Sequence, residues 1–400
     1  MQRKHLNFIG ALLLLAGSFA TYSCNDDVSG ALPRHLLTVD LTLPSEVAAS
    51  DVEDLKLIVT DNRGSNDTVS IADGQHVSVE LVQGQYSLTA SGKIKDENFS
   101  YVSGTQSVSL YADATVSMQL NKIIQSPLVF KAIYSTGGAS GYVVDQYFEI
   151  VNNSDEVQYL DGLIMSAPTG HQTQANAWQA NGYTDIYESG QGVVVAFPGS
   201  GTDYPLQPGE SVLVANDAVN HKELAPEGNN CPDLSQAEWE VYISNVNGEI
   251  DYPNARNLDI IFQNNAYMKA FGLGFFGRGY ILARCPEGMT PAQFAADPAN
   301  LMTTPGTTSS TQYLMIPSDY VLDAVDIREA DSENYYPTFL SKDDAQAVTA
   351  SEAWSGRCVR RKVSRIENGR PYYQDTNNSA NDFLTNQPLT PGVTPTEADI

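Results

Sequence analysis

The chain has 400 residues, of which 42% are hydrophobic and 18% are charged. This length can bury more than one core, and a norm of about 150 residues per domain predicts two domains. Its 48 acidic and 22 basic residues give a formal net charge of −26. This balance excludes a nucleic-acid partner, because phosphate backbones are bound by clustered Lys and Arg.

The first residues have the features of a secretion signal. Arg3 and Lys4 precede an apolar run from Phe8 to Ala20. That run is shorter than the ~20 residues that span a bilayer as a helix, so it predicts a cleaved signal rather than a membrane span.

Thr21, Tyr22 and Ser23 lead from this run to Cys24, and the arrangement resembles a bacterial lipoprotein signal. The resemblance implies that residues 1–23 are removed and that the thiol of Cys24 carries lipid. Asn25, Asp26 and Asp27 resemble the acidic export signal that sends Bacteroidetes lipoproteins to the outer face of the outer membrane. We therefore expect a lipid-anchored protein of the outer membrane that faces the cell exterior, with residues 24–35 as a flexible tether.

Residues 36–122 are predicted to form a small β-sandwich. Short alternating runs are separated by turn residues, which is typical of antiparallel strands. These runs are LLTVDLTL, LKLIV, HVSVELV, QYSLTASG and TVSMQL. The segment VELVQGQYSLTASG resembles transthyretin-like and carboxypeptidase-regulatory-like modules, which usually act as stalks or spacers. We expect an immunoglobulin-like or transthyretin-like sandwich here.

Residues 125–385 are predicted to form a second, larger β domain. Alternation and turn residues predict a hairpin with strands at 146–151 and from Val157. Further strands are predicted at GVVVAF, SVLVA, WEVYIS, LDIIF, FGLGFF, YILAR, VLDAVDI and CVRRKV. Thr290 and Pro291 indicate the start of one short helix. The proline-rich residues 386–400 are predicted to be disordered.

Three segments of this domain resemble known families. YFEIVNNSDEVQYLDGLIM and RCVRRKVSRIENGRPYYQDTNNSANDF are similar to the first hairpin and last strands of lamin-tail domains, which are immunoglobulin-like sandwiches. LQPGESVLVANDAVNHKELAPEGNNCPDLSQAEWEVY resembles a Bacteroidetes lipoprotein family catalogued as domain of unknown function 4876. The resemblance implies an all-β, lamin-tail-like sandwich with long loop insertions, and an envelope lipoprotein without an assigned chemistry.

The sequence predicts no catalytic residue and no cofactor. The serine elbow G-x-S-x-G, H-E-x-x-H and a phosphate-binding glycine loop are absent. Asp217 and His221 are the candidate metal ligands, because a four-residue spacing shares one face of a helix. The alternative is a loop histidine bonded to its neighbouring aspartate.

DTNNSAND supplies oxygen donors at near-alternate positions, which is reminiscent of a calcium loop. These donors are Asp375, Asn377, Ser379 and Asp382. The alternative, favoured by the lamin-tail resemblance, is that they cap turns between the final strands.

Three cysteines remain after Cys24, so at most one disulfide can form among them. Cys231 and Cys285 both precede proline in loop-like sequence and are the predicted pair. Cys358 lies in an alternating strand and is predicted to be a buried thiol. The basic cluster from Arg357 to Arg365 is interpreted as a strand that supplies internal charge partners.

The long connections 165–191 and 286–312 are predicted to be functional, because structureless loops of that length are uncommon in compact domains. The first carries three aromatic residues that suit a contact surface. The predicted ligand-binding residues are therefore Trp178, Tyr183, Tyr187, His171 and His221.

Together these features predict a non-enzymatic, surface-exposed lipoprotein that binds a ligand or partner. The expected partner is a TonB-dependent outer-membrane receptor of a nutrient uptake system, with the membrane bound through Cys24. Two alternatives stay open: a metal-dependent hydrolase built around His171, His221 and Asp251, and a structural or adhesive envelope component.

Overall fold

The structure is a computed structural model, and it describes the chain in seven stretches. These are residues 32–61, 66–71, 75–95, 100–169, 173–247, 249–329 and 335–399. The predicted signal, the lipidation site Cys24 and the acidic residues after it lie outside the described residues. No helix within the described stretches is long and apolar enough to span a membrane.

The first region forms two sheets that enclose one core. Its described strands are β1 (Arg34–Thr42), β2 (Val52–Asp61), β3 (Asn66–Ser70), β4 (His76–Val82), β5 (Gly84–Ile94), β6 (Ser100–Leu110), β7 (Ala114–Gln119) and β8 (Asn121–Ile124). One sheet has the order β4-β1-β7 and the other β3-β2-β5-β6-β8. A single 3₁₀ turn at Ala49–Asp51 precedes β2.

Side-chain alternation explains this packing. In β1, Leu37, Val39 and Leu41 point inward and their neighbours point outward. They meet Leu57 and Leu88 of the facing sheet in one apolar cluster. The sequence predicts strands in which every second side chain is buried, and the structure confirms this pattern here.

The second region is larger and contains the remaining elements. Its described strands are β9 (Leu128–Tyr134), β10 (Tyr147–Asn152), β11 (Gln158–Tyr159), β12 (Leu163–Ser166), β13 (Ile186–Glu188), β14 (Val193–Ala196), β15 (Pro205–Leu206), β16 (Ser211–Ala215), β17 (Trp239–Glu240), β18 (Arg256–Asn257), β19 (Asp259–Gln263), β20 (Gly277–Arg284), β21 (Leu301–Thr303), β22 (Gln312–Pro317), β23 (Val321–Arg328), β24 (Val348–Thr349), β25 (Arg357–Arg361), β26 (Val363–Glu367), β27 (Arg370–Tyr373) and β28 (Phe383–Pro388). Its short helices are α1 (Ala177–Ala180), α2 (His221–Leu224), α3 (Pro291–Ala296) and α4 (Ser379–Asp382), with 3₁₀ turns at Pro298–Asn300 and Ser318–Tyr320.

Two large sheets form the second region's sandwich. One has the order β18-β17-β16-β10-β9-β25-β28, and the other has the order β19-β14-β12-β20-β23-β24. Phe130, Phe148 and Val214 of the first sheet pack with Leu163 and Leu282 of the second in a shared core. The predicted all-β fold class is confirmed.

The six-stranded sheet is also covered on its outer face. Ile164, Val194 and Ile281 project from the six-stranded sheet onto Phe294 of α3 and Leu314 of β22. The connections 165–191 and 286–312 therefore build a covering layer, which contains α1, α3 and the sheet β13-β22-β21. Burial on two faces explains why β12 and β14 are continuously apolar rather than alternating.

The predicted hairpin at 146–165 is wrong. β10 pairs with β9 and β16, whereas β11 pairs with β15 and β12 belongs to the facing sheet. The chain crosses between sheets after Asn152, whose amide donates to the carbonyls of Glu156 and Leu206. Since β10 is buried on both faces, it takes a central position with two strand neighbours instead of a hairpin partner.

Three other sequence predictions have clear outcomes. The helix signal is confirmed, since Thr290 and Gln293 form a capping box around α3. FGLGFF is not a strand, because Gly272 has a φ of +67° that interrupts extended backbone. The disordered tail is wrong for the described residues: β28 runs to Pro388, and Asp399 is bound by Arg360.

Candidate functional site

A groove of about 890 Å³ opens on the second region. Segments 228–233, 355–357 and 388–393 line it, together with Lys222 of α2. Its volume lies in the range of small-molecule sites, roughly 300–1,000 Å³. It is the candidate functional site.

Glycines let three loops meet at the base of the groove. A Cβ at Gly356 would lie 2.4 Å from the carbonyl oxygen of Asn230, and one at Gly138 would lie 2.5 Å from the amide nitrogen of Cys231. The Asn230 amide donates to the Gly138 carbonyl at 2.8 Å, and the Gly356 amide donates to the Gly137 carbonyl at 3.1 Å. These contacts fix the base, because no side chain could be inserted without moving backbone.

One wall of the groove belongs to the segment 389–399, which we call the strap. A buried ion pair holds its middle: Lys131 Nζ lies 3.2 Å from Glu149 Oε2, with 3% and 2% of the two side chains exposed. Lys131 donates to the Val393 carbonyl at 2.9 Å, and the Gly392 amide donates to Glu149. Burial raises the pKa of Glu149, and Lys131 opposes that shift.

The far end of the strap is fixed by Asp399. Both of its carboxylate oxygens accept from the Arg360 guanidinium at 2.8 Å. The Val363 amide also donates to this carboxylate at 2.7 Å. The strap is therefore held at two points, one at residues 392–393 and the other at Asp399. The groove-lining Pro391 comes just before the first point.

Two cations face the groove. Lys222 and Arg357 are exposed, and within the described part of the chain neither forms an ion pair with a carboxylate at 4.0 Å or less. Asp233 is the carboxylate among the lining residues. Hydrogen bonds from the hydroxyl and amide of Ser235 lower the pKa of Asp233.

The predicted disulfide does not form, because Cys231 and Cys285 are both free thiols. Cys231 lies beneath the groove, whereas Cys285 packs against the covering layer on the outer face of the six-stranded sheet. Burial raises the pKa of Cys231 to about 12, and the Asp145 carboxylate adds to that shift. Cys358 is buried in β25, as predicted.

The predicted aromatic contact loop is mainly structural. Trp178 is 7% exposed and packs edge-on against Tyr313, with ring centroids 5.0 Å apart. Tyr187 is 4% exposed, and its hydroxyl donates to Asp343. The small cavity beside them measures about 10 Å³, which is the size of one water rather than a ligand. Tyr183 is partly exposed but does not line the groove.

The candidate metal pair does not converge. His221 is buried, with Nδ1 2.7 Å from the Tyr142 hydroxyl and Nε2 2.9 Å from the backbone carbonyl of Asp217. Only His221–Leu224 is helical in this segment, so the Asp217 carboxylate does not share a helix face with the ring. Burial lowers the pKa of His221.

The alternative metal-dependent site is not assembled within the described residues either. No group of three or more His, Cys, Asp or Glu side chains in those stretches could hold a metal ion. Asp251 accepts a hydrogen bond from Asn257 at 3.3 Å. His171 lies outside the described residues.

The oxygen donors near the C-terminal strands face inward, which favours the turn-capping alternative. Asp375 lies 3.2 Å from Nη1 of the buried Arg361. Asp382 accepts from the Thr376 amide at 2.7 Å, and the Ser379 amide donates to Asp344 at 2.8 Å. The carboxylates of Asp375 and Asp382 are therefore already satisfied by protein donors.

Fold and groove together define a two-region β-sandwich protein with a ligand-sized surface groove. A family model described as protein of unknown function (DUF4876) matches residues 207–390. A crystal structure of a DUF4876 family protein from Bacteroides thetaiotaomicron, at 26% identity, covers 91% of this chain and 99% of its own with a TM-score of 0.58. The predicted family resemblance is thereby confirmed; the lamin-tail likeness stays a prediction.

Two further solved structures are more distant. A DUF3823 family protein from Parabacteroides merdae has 11% identity, covers 34% of this chain and 67% of its own, and gives a TM-score of 0.18. The fimbrial anchor protein Mfa2 from Porphyromonas gingivalis has 13% identity, covers 36% and 69%, and gives a TM-score of 0.17. Likenesses this low support no functional statement. The comparison with curated proteins gave no match.

Proposed function

We propose that this chain is a non-enzymatic binding protein of the bacterial cell surface, anchored through lipid on Cys24, that holds a ligand in the groove. The observation that carries the proposal is the construction of the groove itself. Its base is fixed by contacts that require glycine, and the strap beside it is held by a buried ion pair. A preformed concave site of this volume is typical of ligand binding, because little order must be created on binding.

The position of the groove suits an accessory role beside a membrane receptor. The small first region separates the second region from the predicted anchor, as a stalk would. The proposed partner is a TonB-dependent receptor of the outer membrane, to which the bound ligand would be passed. The support for this partner is the predicted lipoprotein signal and envelope location.

The test is an affinity pull-down of the tagged, lipidated protein from gently solubilised outer membranes, with mass spectrometry of the recovered proteins. We expect stoichiometric recovery of one outer-membrane receptor, and loss of surface-exposed protein when protease is added to intact cells. A Cys24→Ala variant is the control, because it is not lipidated and should not reach the membrane fraction. Recovery of the lipidated protein alone would contradict the receptor partnership, and full protection from protease would contradict surface display.

A second candidate function is adhesion to an external surface. Tyr267 and Phe276 are large apolar side chains that are 92% and 65% exposed. Exposed aromatic residues commonly serve protein contacts. If adhesion is the role, a Tyr267→Ser/Phe276→Ser variant should reduce attachment of whole cells to a matrix-coated surface, while the groove variant described below should not.

A further inference from the structure

Several cations of the second region lie against carboxylates of the protein. These are Lys131, Lys342, Arg360, Arg361, Arg365 and Arg370. Arg278 and Arg284 instead donate to backbone carbonyls. On a chain with 48 acidic and 22 basic residues, such neutralisation is the expected outcome for an exposed cation.

Lys222 and Arg357 are exposed and have no carboxylate within 4.0 Å among the described residues, and both line the same groove. Arg357 begins β25, and its carbonyl accepts from the Thr136 hydroxyl at 3.1 Å, so its backbone is fixed while its guanidinium is exposed. Asp233 offsets one of the two positive charges, which leaves the lining with a net charge of +1 on a protein of −26. The groove is therefore a local positive site in a negative field.

Part of the groove lining is apolar, and its first residue, Pro388, is paired with Arg357 across β25 and β28. Pro388, Leu389, Pro391 and Val393 form this part, and the strap contacts to Lys131 and Glu149 keep the last of them in place. A rigid apolar wall beside an arginine suits a ligand with a hydrocarbon or ring body and one acidic group. Arginine binds a carboxylate through two parallel hydrogen bonds, which gives both strength and orientation.

We propose that the groove binds an organic monocarboxylate, with the carboxylate on Arg357 and Lys222 and the apolar body against the strap. The net charge of +1 matches a monoanion better than an inorganic phosphate, which carries more charge and no apolar surface. This inference rests on the proposed binding function and adds the chemical class of its ligand.

The test compares carboxylates with neutral matches on the full mature protein by isothermal titration calorimetry. The probes are 4-phenylbutyrate against 4-phenylbutanamide, glucuronate against glucose, and inorganic phosphate. At least one carboxylate should bind about tenfold more tightly than its neutral match, as expected for a hydrogen bond to a charged group. The preference should weaken with rising ionic strength, since both cations are exposed.

The Lys222→Gln/Arg357→Gln variant should lose this preference. Lys93→Gln/Lys95→Gln is the matched control, because it removes the same charge from exposed positions in the first region. Circular dichroism and thermal unfolding should be unchanged in both variants.

The proposal is overturned if no carboxylate binds, if the neutral match binds equally well, or if the groove variant keeps the preference. Tighter binding of phosphate than of either carboxylate would also overturn it. A receptor recovered in the pull-down without carboxylate binding here would leave the proposed function standing and remove only the ligand class.

Discussion

Arg361 shows how a single buried charge organises the second region. Its side chain is 1% exposed, and its guanidinium donates to Asp323, Asp375 and the Phe130 carbonyl. Burial lowers the pKa of Arg361, but the surrounding carboxylates raise it by more, so the pKa lies above its usual value. The arginine therefore stays charged and joins β25 to β9 and β23.

Replacing this arginine should be strongly destabilising. Arg361→Met leaves buried carboxylates without their cation, and removal of one partner from a buried pair costs about 3–5 kcal/mol. We expect urea unfolding, followed by tryptophan fluorescence, to give a free energy of unfolding that is lower by that amount. Arg365→Met is the control, because its pair with Glu367 is about half exposed and should contribute less than ~1 kcal/mol. Equal effects of the two substitutions would contradict this role for Arg361.

Asp217 makes stability depend on pH near neutrality. Burial, with Glu249 and Glu240 nearby, raises its pKa to about 7. An aspartate in the unfolded chain has a pKa near 3.9, so between about pH 4 and pH 7 the folded protein binds more protons than the unfolded chain. The free energy of unfolding therefore falls as pH rises through that window.

Asp217→Asn should remove this contribution. The amide is neutral at all pH values, so the variant should be more stable than the parent at pH 8 and lose less stability between pH 5 and pH 8. Thermal unfolding of both proteins across that range measures the difference. Part of the slope should persist, because burial also raises the pKa of Asp375. Parallel curves for parent and variant would show that Asp217 does not titrate in this window.

At the scale of elements, Gly356 joins the start of β25 to the groove base. It has a φ of +64°, and a Cβ there would meet Asn230 at 2.4 Å. Gly356→Ala should therefore displace the 229–231 loop and weaken ligand binding. Gly306→Ala is a close control, since its φ is +72° with nothing within 4 Å of a Cβ. The two variants share the backbone strain of about 1–2 kcal/mol, so the difference in their thermal unfolding isolates the contact. Equal thermal unfolding of the two variants would mean that the 229–231 loop moves aside without cost.

The covering layer shows both what the sequence predicts and what it conceals. VVVA at β14 and LIM at β12 are continuous apolar runs, and such runs indicate burial on both faces. That signal was present in the sequence, but it does not say which segment provides the cover. The length of the two connections predicts functional loops, whereas Tyr187 of the first and Phe294 of the second are buried in the cluster on this sheet.

At the scale of the molecule, element type was more predictable than pairing. Alternation predicted the strands of the first region, and the interpretation of the basic strand as an internal charge partner agrees with Arg361. The groove was not predictable, because residues 137–138, 228–233, 355–357 and 388–393 are distant in sequence and meet only after folding. The glycines and prolines of these segments are the only features of the sequence that point to the groove, and both residue types are common in ordinary loops.

The two regions bury separate hydrophobic cores. Leu57 belongs to the first core and Leu282 to the second, both with no exposed surface. Among the described contacts between the regions, the Asn381 amide donates to the Thr89 hydroxyl at 3.1 Å. Such contacts are weak compared with either core, so each region should unfold on its own.

A pair of matched substitutions tests this independence. Leu57→Ala and Leu282→Ala should each cost about 2–5 kcal/mol, because both leave a cavity in a packed core. All three tryptophans, Trp178, Trp239 and Trp354, lie in the second region. Fluorescence-detected unfolding should therefore shift for Leu282→Ala and stay unchanged for Leu57→Ala, while calorimetry of Leu57→Ala shows a second transition moved to lower temperature. A single calorimetric transition that both substitutions shift equally would show instead that the two sandwiches unfold as one cooperative unit.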